Sequence, residues 1–94
     1  MPMYNPAHPG ALLREYMGES MTISALARHL GMTRAQLSMI LNGRAGISPL
    51  TSLKLDEAFA MSDGFWYRAQ TQYDLAQARK KKRVRIPPIL KKAA

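Results

Sequence analysis

Between Thr22 and Gly43 the apolar positions fall at the three-to-four-residue spacing of two short amphipathic helices. Leu26, Ala27 and Leu30 make the inner face of the first, and Leu37, Ile40 and Leu41 that of the second. Gly31-Met32-Thr33 separates them, with Gly31 where a helix ends in the left-handed conformation that only glycine adopts cheaply. Thr33 then opens the second helix as its N-cap, and Gln36 completes a capping box. Two helices joined by a tight turn, the second with polar groups left outside, predict a helix-turn-helix. Ala27 lies where the helices must approach, so a small side chain is expected; Ile or Phe there would overpack by roughly 1–3 kcal/mol. A helical hairpin in any small α-bundle also uses small residues and glycine turns. Here spacing, turn chemistry and the exposed residues all agree on the groove-docking version.

The same reading of the flanks predicts an all-α, five-helix, phage-repressor-like domain over residues 8–78. Residues 1–7 are expected to be extended and loosely held. His8-Pro9 marks a helix start, proline standing where its missing N–H is harmless. This first helix should run to about Met17 and bury Leu12, Leu13 and Tyr16 or Met17. His8 reads as a capping or surface residue, since no metal-binding partner lies near it in sequence. Asn42-Gly43-Arg44-Ala45-Gly46 is a glycine-punctuated loop, Gly43 ending the second helix of the motif. Ser48 as N-cap and Pro49 at the first helical position start a fourth helix to about Met61. Its core side is expected to be Leu50, Leu53, Leu55, Ala58 and Phe59. Ser62 or Asp63 should cap a fifth helix, GFWYRAQTQYDLAQAR, where Phe65, Trp66, Ala69, Tyr73 and Ala76 recur at helical spacing. Such a stripe reads as core or dimer interface rather than as a ligand box.

Length and charge narrow this picture. The chain has 94 residues, room for one domain, and at that size only roughly 60% of the unfolded surface is buried. A partner or dimer is therefore expected. Cysteine is absent, which excludes disulfides and thiolate metal sites. The proline-broken start MPMYNPAHPG has no signal-peptide pattern, and no apolar run approaches the ~18 residues of a membrane span. A cytoplasmic protein with no membrane association is expected. The net charge of +8 lies entirely in residues 79–94, because the six basic and six acidic residues of 1–78 cancel. Within that neutral part, Thr22 to Pro49 holds Arg28, Arg34 and Arg44 and no acid, a positive face of the kind groove docking needs. The tail over 79–94, RKKKRVRIPPILKKAA, should repel itself and stay open, with Pro87-Pro88 ending any helix. It is read as an extended basic tail with three uses: a solvated end, a source of DNA phosphate contacts, or a segment adding Val84-Arg85-Ile86 and Ile89-Leu90 to a partner chain.

A recognition helix meets base edges with its N-terminal part. With Leu37, Ile40 and Leu41 inward, Arg34, Ala35, Ser38 and Met39 face out. Arg34 is the first candidate for base reading, since a bidentate pair with guanine is worth roughly 1–3 kcal/mol. Ala35 and Met39 suit a thymine methyl, and Ser38 can donate or accept. Thr33 and Gln36 cap each other's backbone and could still touch a phosphate or a base. Asn42 and Arg44 lie past the helix, where phosphate anchoring is expected. One helix reads few base pairs, so specificity calls for a homodimer on a palindromic double-stranded operator, its recognition helices roughly 34–36 Å apart. With two histidines, no cysteine, six carboxylates and no glycine-rich phosphate loop, a nucleophile–base–orienter set is hard to assemble. No enzyme, metal or cofactor is expected. The readings from another class are a general polyanion binder driven by the tail and a protein-interaction module.

The combination of motifs resembles the HigA antitoxins, a family within the phage-repressor type of helix-turn-helix. The resemblance spans roughly His8 to Leu75. It rests on His8-Pro9-Gly10, Leu26-Ala27, Leu30-Gly31, Leu41-Asn42-Gly43-Arg44 and Gly46-Ile47-Ser48-Pro49. Phe65-Trp66, Gln70 and Tyr73-Asp74-Leu75 complete it and are the more specific part. It implies a protein that represses its own promoter as a dimer and neutralises a cognate toxin, typically a small messenger-RNA-cleaving ribonuclease. A stand-alone phage-type repressor without a toxin is the nearest alternative. One departure stands out. Many phage repressors place a phosphate-clamping Gln at the start of the second helix, and Ile23 stands there. Thr22, Ser24 or backbone N–H groups must make that contact instead. The lysine-rich tail has no counterpart among these markers.

Overall fold

The structure, a computed structural model, describes residues 5–90. Five helices follow in order: α1 (Pro9–Met17), α2 (Ile23–Leu30), α3 (Arg34–Leu41), α4 (Pro49–Ala58) and α5 (Phe65–Lys80). α3 packs against both α1 and α2, while α5 packs on α4 and α1 and α2 meets α4. The core they enclose is Leu13, Met17, Leu26, Ala27, Leu30, Leu37, Ile40, Leu41, Ile47, Leu55 and Trp66. No helix among the described residues is long and apolar enough to cross a membrane. The expected loose segment over 1–7 lies outside the described residues at positions 1–4. At Pro6 the expectation fails, because this apolar ring is buried at the entry to α1.

Each of the first four helices starts as its local sequence dictates. His8 caps α1 with Nδ1 accepting from the Gly10 N–H at 2.9 Å. Thr22 Oγ1 accepts from Ala25 N at 3.0 Å, and Ser48 Oγ from Thr51 N at 3.2 Å. Thr33 and Gln36 form both bonds of the capping box, Gln36 N to Thr33 Oγ1 at 3.0 Å and Thr33 N to Gln36 Oε1 at 2.9 Å. The turn closes on Gly31 at φ 70° and ψ 36°, with Met32 N donating to Ala27 O at 3.0 Å. Gly10 has a different task. A Cβ there would stand 2.0 Å from the Ile40 carbonyl oxygen, so only glycine lets α1 rest on the backbone of α3.

The second half departs from expectation. Leu50 and Leu53, expected in the core, are 63% and 48% exposed, whereas Ser52, Leu55 and Asp56 are buried. The buried face of α4 therefore combines Leu55 with two polar residues, Ser52 and Asp56. α4 also stops at Ala58 rather than near Met61: Ala60 takes a left-handed φ of 54°, and Met61 N donates to Asp56 O at 2.8 Å. Neither Ser62 nor Asp63 caps α5. Its N-cap is Gly64, which has no side chain to offer. The carboxylate of Asp56, on α4, does the capping, with Oδ2 accepting from Gly64 N at 2.8 Å and Oδ1 from Trp66 N at 3.2 Å. A buried anion thereby meets the positive end of α5 and satisfies donors that would otherwise be orphaned.

The expected aromatic stripe of α5 is seated around Trp66, which is fully buried. Phe65 lies 5.3 Å from it and Tyr16 of α1 5.6 Å, both edge-on. On α1 the buried residue of the Tyr16–Met17 pair is Met17; Tyr16 keeps its edge in water and lays its ring on the aromatic cluster. α5 runs on through Arg79 and Lys80, where cations suit the negative helix end. Lys81 then turns extended at φ −81° and ψ 140°, and the chain continues without helix or strand through residue 90.

Candidate nucleic-acid interface

α3 has a buried side and an outward side. Leu37, Ile40 and Leu41 are within 4% of full burial, and Arg34, Ala35 and Gln36 are all exposed on its first turn. These three, with Thr33 just ahead, stand together at the helix end that groove docking presents to bases. The capping box occupies Gln36 Oε1, leaving its Nε2 hydrogens free to donate outward, and the Thr33 hydroxyl keeps its own hydrogen. Neither Arg34 nor Arg44 bonds another side chain among the described residues, so both guanidiniums face solvent with their donors unspent. Ser38 is half-buried. Met39 lies one turn further along α3, sharing a groove with Gln36 of the first turn and with Leu50 and Lys54 of α4.

Thr22 and Ser24, the candidates at the start of α2, are both exposed. The Thr22 oxygen accepts from the Ala25 N–H, its hydroxyl still carries a hydrogen to donate, and the first backbone N–H groups of a helix have no partner within it. The helix end itself therefore offers what Ile23 cannot.

Beyond α3 the structure brings in residues that sequence spacing did not reveal. Arg14 of α1 reaches the end of the recognition helix, Nε donating to Leu41 O at 3.3 Å and Nη2 to Asn42 Oδ1 at 2.9 Å. Asn42 Nδ2 in turn donates to Ser38 Oγ at 3.3 Å. The Asn42 side chain is thus tied to its own domain, and Arg14 adds a cation beside it. Arg44 rides on the next loop, whose shape is fixed by Arg44 N donating to Met39 O at 2.8 Å and by Gly43 at φ 73°.

α5 holds that loop from behind. Buried Gln70 accepts from Ile47 N through Oε1 at 2.8 Å and donates through Nε2 to Asp74 Oδ1 at 2.9 Å. The His8 ring meets Tyr73 edge-on at 4.9 Å. Burial lowers the His8 pKa below its ordinary 6.5, with the Asp74 charge and a hydrogen bond to the Ala45 backbone pulling the other way. A neutral ring suits its place, because Nδ1 must keep its lone pair to cap α1. Gln70 was marked only through the family resemblance and His8 as the capping start of α1; in the structure both also stand behind the loop that carries Arg44. Nothing in the spacing of Arg14 announced its reach across to α3.

This geometry agrees with what the chain is similar to. Residues 13–66 match the helix-turn-helix family. Virulence-associated protein A' of Dichelobacter nodosus is 46% identical over 77 residues, covering 80% of this chain and 67% of that protein. An addiction module antidote protein of the HigA family from Coxiella burnetii superimposes with a TM-score of 0.77 at 36% identity, covering 81% of this chain and 85% of its own. The antitoxin HigA of Pseudomonas aeruginosa, solved with the higBA promoter, gives a TM-score of 0.75 at 36% identity over 79% and 83%. Proteins of this kind are DNA-binding regulators without catalytic activity. With a helix-turn-helix match over more than half its length and HigA relatives over most of it, this chain belongs to the HigA family of helix-turn-helix antitoxins.

Proposed function

We propose that this protein represses its own promoter as a two-fold dimer and neutralises a cognate RNA-cleaving toxin, acting in the cytoplasm. The observation that carries the DNA half is the exposed first turn of α3: Arg34, Ala35 and Gln36 in a stretch without acid, backed by a fully seated core face. Arg34 reads a guanine, Ala35 and Met39 meet thymine methyl groups, and Ser38 and Gln36 serve as adaptable hydrogen-bonding groups. Arg44, Asn42, Thr22, Ser24 and Thr33 hold phosphates and fix the register. The HigA of P. aeruginosa, which is solved with the higBA promoter, supports autorepression.

The dimer is supported by α4. Leu50 and Leu53 are exposed apolar residues of α4, Leu50 sharing a groove with Met39 of the recognition helix, and a second copy would cover them and set two α3 helices on successive major grooves. Toxin neutralisation is supported by the antidote and antitoxin relatives. Its test is whether the product of the adjacent gene, toxic alone, becomes harmless when co-expressed with this chain.

Competition binding on promoter and scrambled duplexes tests the DNA half. Arg34→Ala should lose roughly ten-fold or more on promoter DNA and little on scrambled DNA, as expected for one lost base pair contact. Arg44→Ala should weaken both about equally. Equal losses on both duplexes for Arg34→Ala would remove Arg34 from base reading.

A further inference from the structure

Beyond the end of α5, the stretch from Lys81 to Ile86 is used neither by the fold nor by the recognition helix, and with Arg79 and Lys80 of the last helical turn it brings together six of the chain's Lys and Arg residues and no acid. Residues 1–78 are electrically neutral, so these cations are not there to balance the domain. Their position follows from α5. Tyr73 and Asp74 line one cleft with His8, Gly43 and Arg44, so the middle of α5 lies behind the loop that presents Arg44. From Asp74 the helix rises only about 9 Å more to Lys80 before the chain turns extended. The basic segment thus leaves α5 less than two turns beyond the residues that share a cleft with Arg44.

Its form fits a rod-like polyanion. Residues 82–88 carry neither helix nor strand, all of 81–90 are exposed, and they are part of a molecule whose long axis is 53 Å. Ten extended residues reach about 33 Å, close to one turn of B-form DNA. In an extended chain Lys81, Arg83 and Arg85 point to one side and Lys82, Val84 and Ile86 to the other, so three of the cations form one edge. Strand addition to a partner protein suits it less. Pro87-Pro88 lacks N–H donors, and the donors that precede them sit within a run of like charge.

We propose that residues 79–86 are a DNA arm: beyond each half-site read by α3, the arm follows the phosphates outward from the Arg44 loop and grips the flanking duplex. This rests on α3 being the groove-reading element. The arm adds affinity and footprint length without sequence choice, because phosphate contacts carry none.

The test compares the full chain with its full-length variant Lys81→Gln/Lys82→Gln/Arg83→Gln/Arg85→Gln, on duplex from its own upstream region and on scrambled duplex. All four positions are exposed, so thermal melting should be unchanged and serves as the folding control. From 50 to 200 mM salt, the slope of log affinity against log salt should be shallower in the variant by about 3–4, at about 0.9 for each phosphate lost. The advantage of the natural chain should then shrink about 100-fold across that range. Hydroxyl-radical footprints should lose their outer edges and keep their centre. Equal slopes and equal footprints would overturn the arm, as would a variant that loses toxin binding with its DNA slope unchanged. The α3 reading is judged separately, by preference for upstream over scrambled duplex: the arm variant should keep it and Arg34→Ala should lose it.

Discussion

The helix-turn-helix of α2 and α3 and the corner of α4 and α5 both bring two helices together across a tight connection, by opposite means. In α2–α3 each helix start is capped from within three residues, Thr22 capping the Ala25 N–H and Thr33 and Gln36 capping each other, and the turn closes on its own glycine. At the α4–α5 corner the cap comes from Asp56, eight and ten residues away from the N–H groups it holds. Gln70 spans 23 residues to fix Ile47. The DNA-facing unit is assembled from local rules, and its frame is held by long-range polar contacts in the core. Local caps are worth about 1 kcal/mol each. A buried charged cap is worth more, since removing it strands donors in a place water does not reach.

That contrast can be tested from its strongest point downward. Gly10→Ala should be the most damaging change, because its methyl group meets the backbone of α3 rather than a movable side chain. A loss of about 3 kcal/mol or more is expected in denaturant unfolding, with operator binding lost alongside. Full stability in this variant would mean that α1 does not rest on α3 as described. Asp56→Ala should follow at about 3 kcal/mol, from two lost charge-assisted bonds and orphaned N–H groups. Asp63→Ala is its control, and a comparable loss there would return the cap to the local sequence. Thr33→Ala should lose about 1 kcal/mol. If it proved as costly as Asp56→Ala, the two halves would not differ in kind.

The smallest effect is a dependence on pH. The His8 pKa is lowered in the folded state, so its contribution is complete above the unfolded value of 6.5 and is lost as pH falls through the lower, folded one. The groups facing it are Asp74 and Tyr73 on α5 and Arg44 on the loop. Melting temperature should fall modestly more for the natural chain than for His8→Asn below pH 6.5, Asn being a cap that does not titrate. Parallel curves would show that the His8 charge state does not matter to the fold.

How far the site was legible depends on the reach of each contact. Thr33, Arg34, Ala35 and Gln36 could be placed on one exposed turn because helix period and capping act within four residues. Leu50 and Leu53 could not be placed. A spacing of three assigns two residues to one face of a helix but does not say which face meets the core. Packing chose Ser52, Leu55 and Asp56, because Asp56 is needed at the start of α5. Ser62 and Asp63 looked like caps on chemistry alone, and a side chain from another helix displaced them. Arg14 gave no local signal either, since its partners Leu41 and Asn42 lie 27 and 28 residues away.

The sequence by itself determined the five helices, the glycine turn, the cap of every helix but the last, and the location of the net charge. Each of these depends on neighbours within a turn or on a simple sum. The tertiary structure alone decided that α4 turns Leu50 and Leu53 outward, that Asp56 starts α5, and that Gln70, His8 and Arg14 brace the recognition helix and its loop. A buried polar group must find a partner wherever the fold supplies one, and that partner need not be near in sequence.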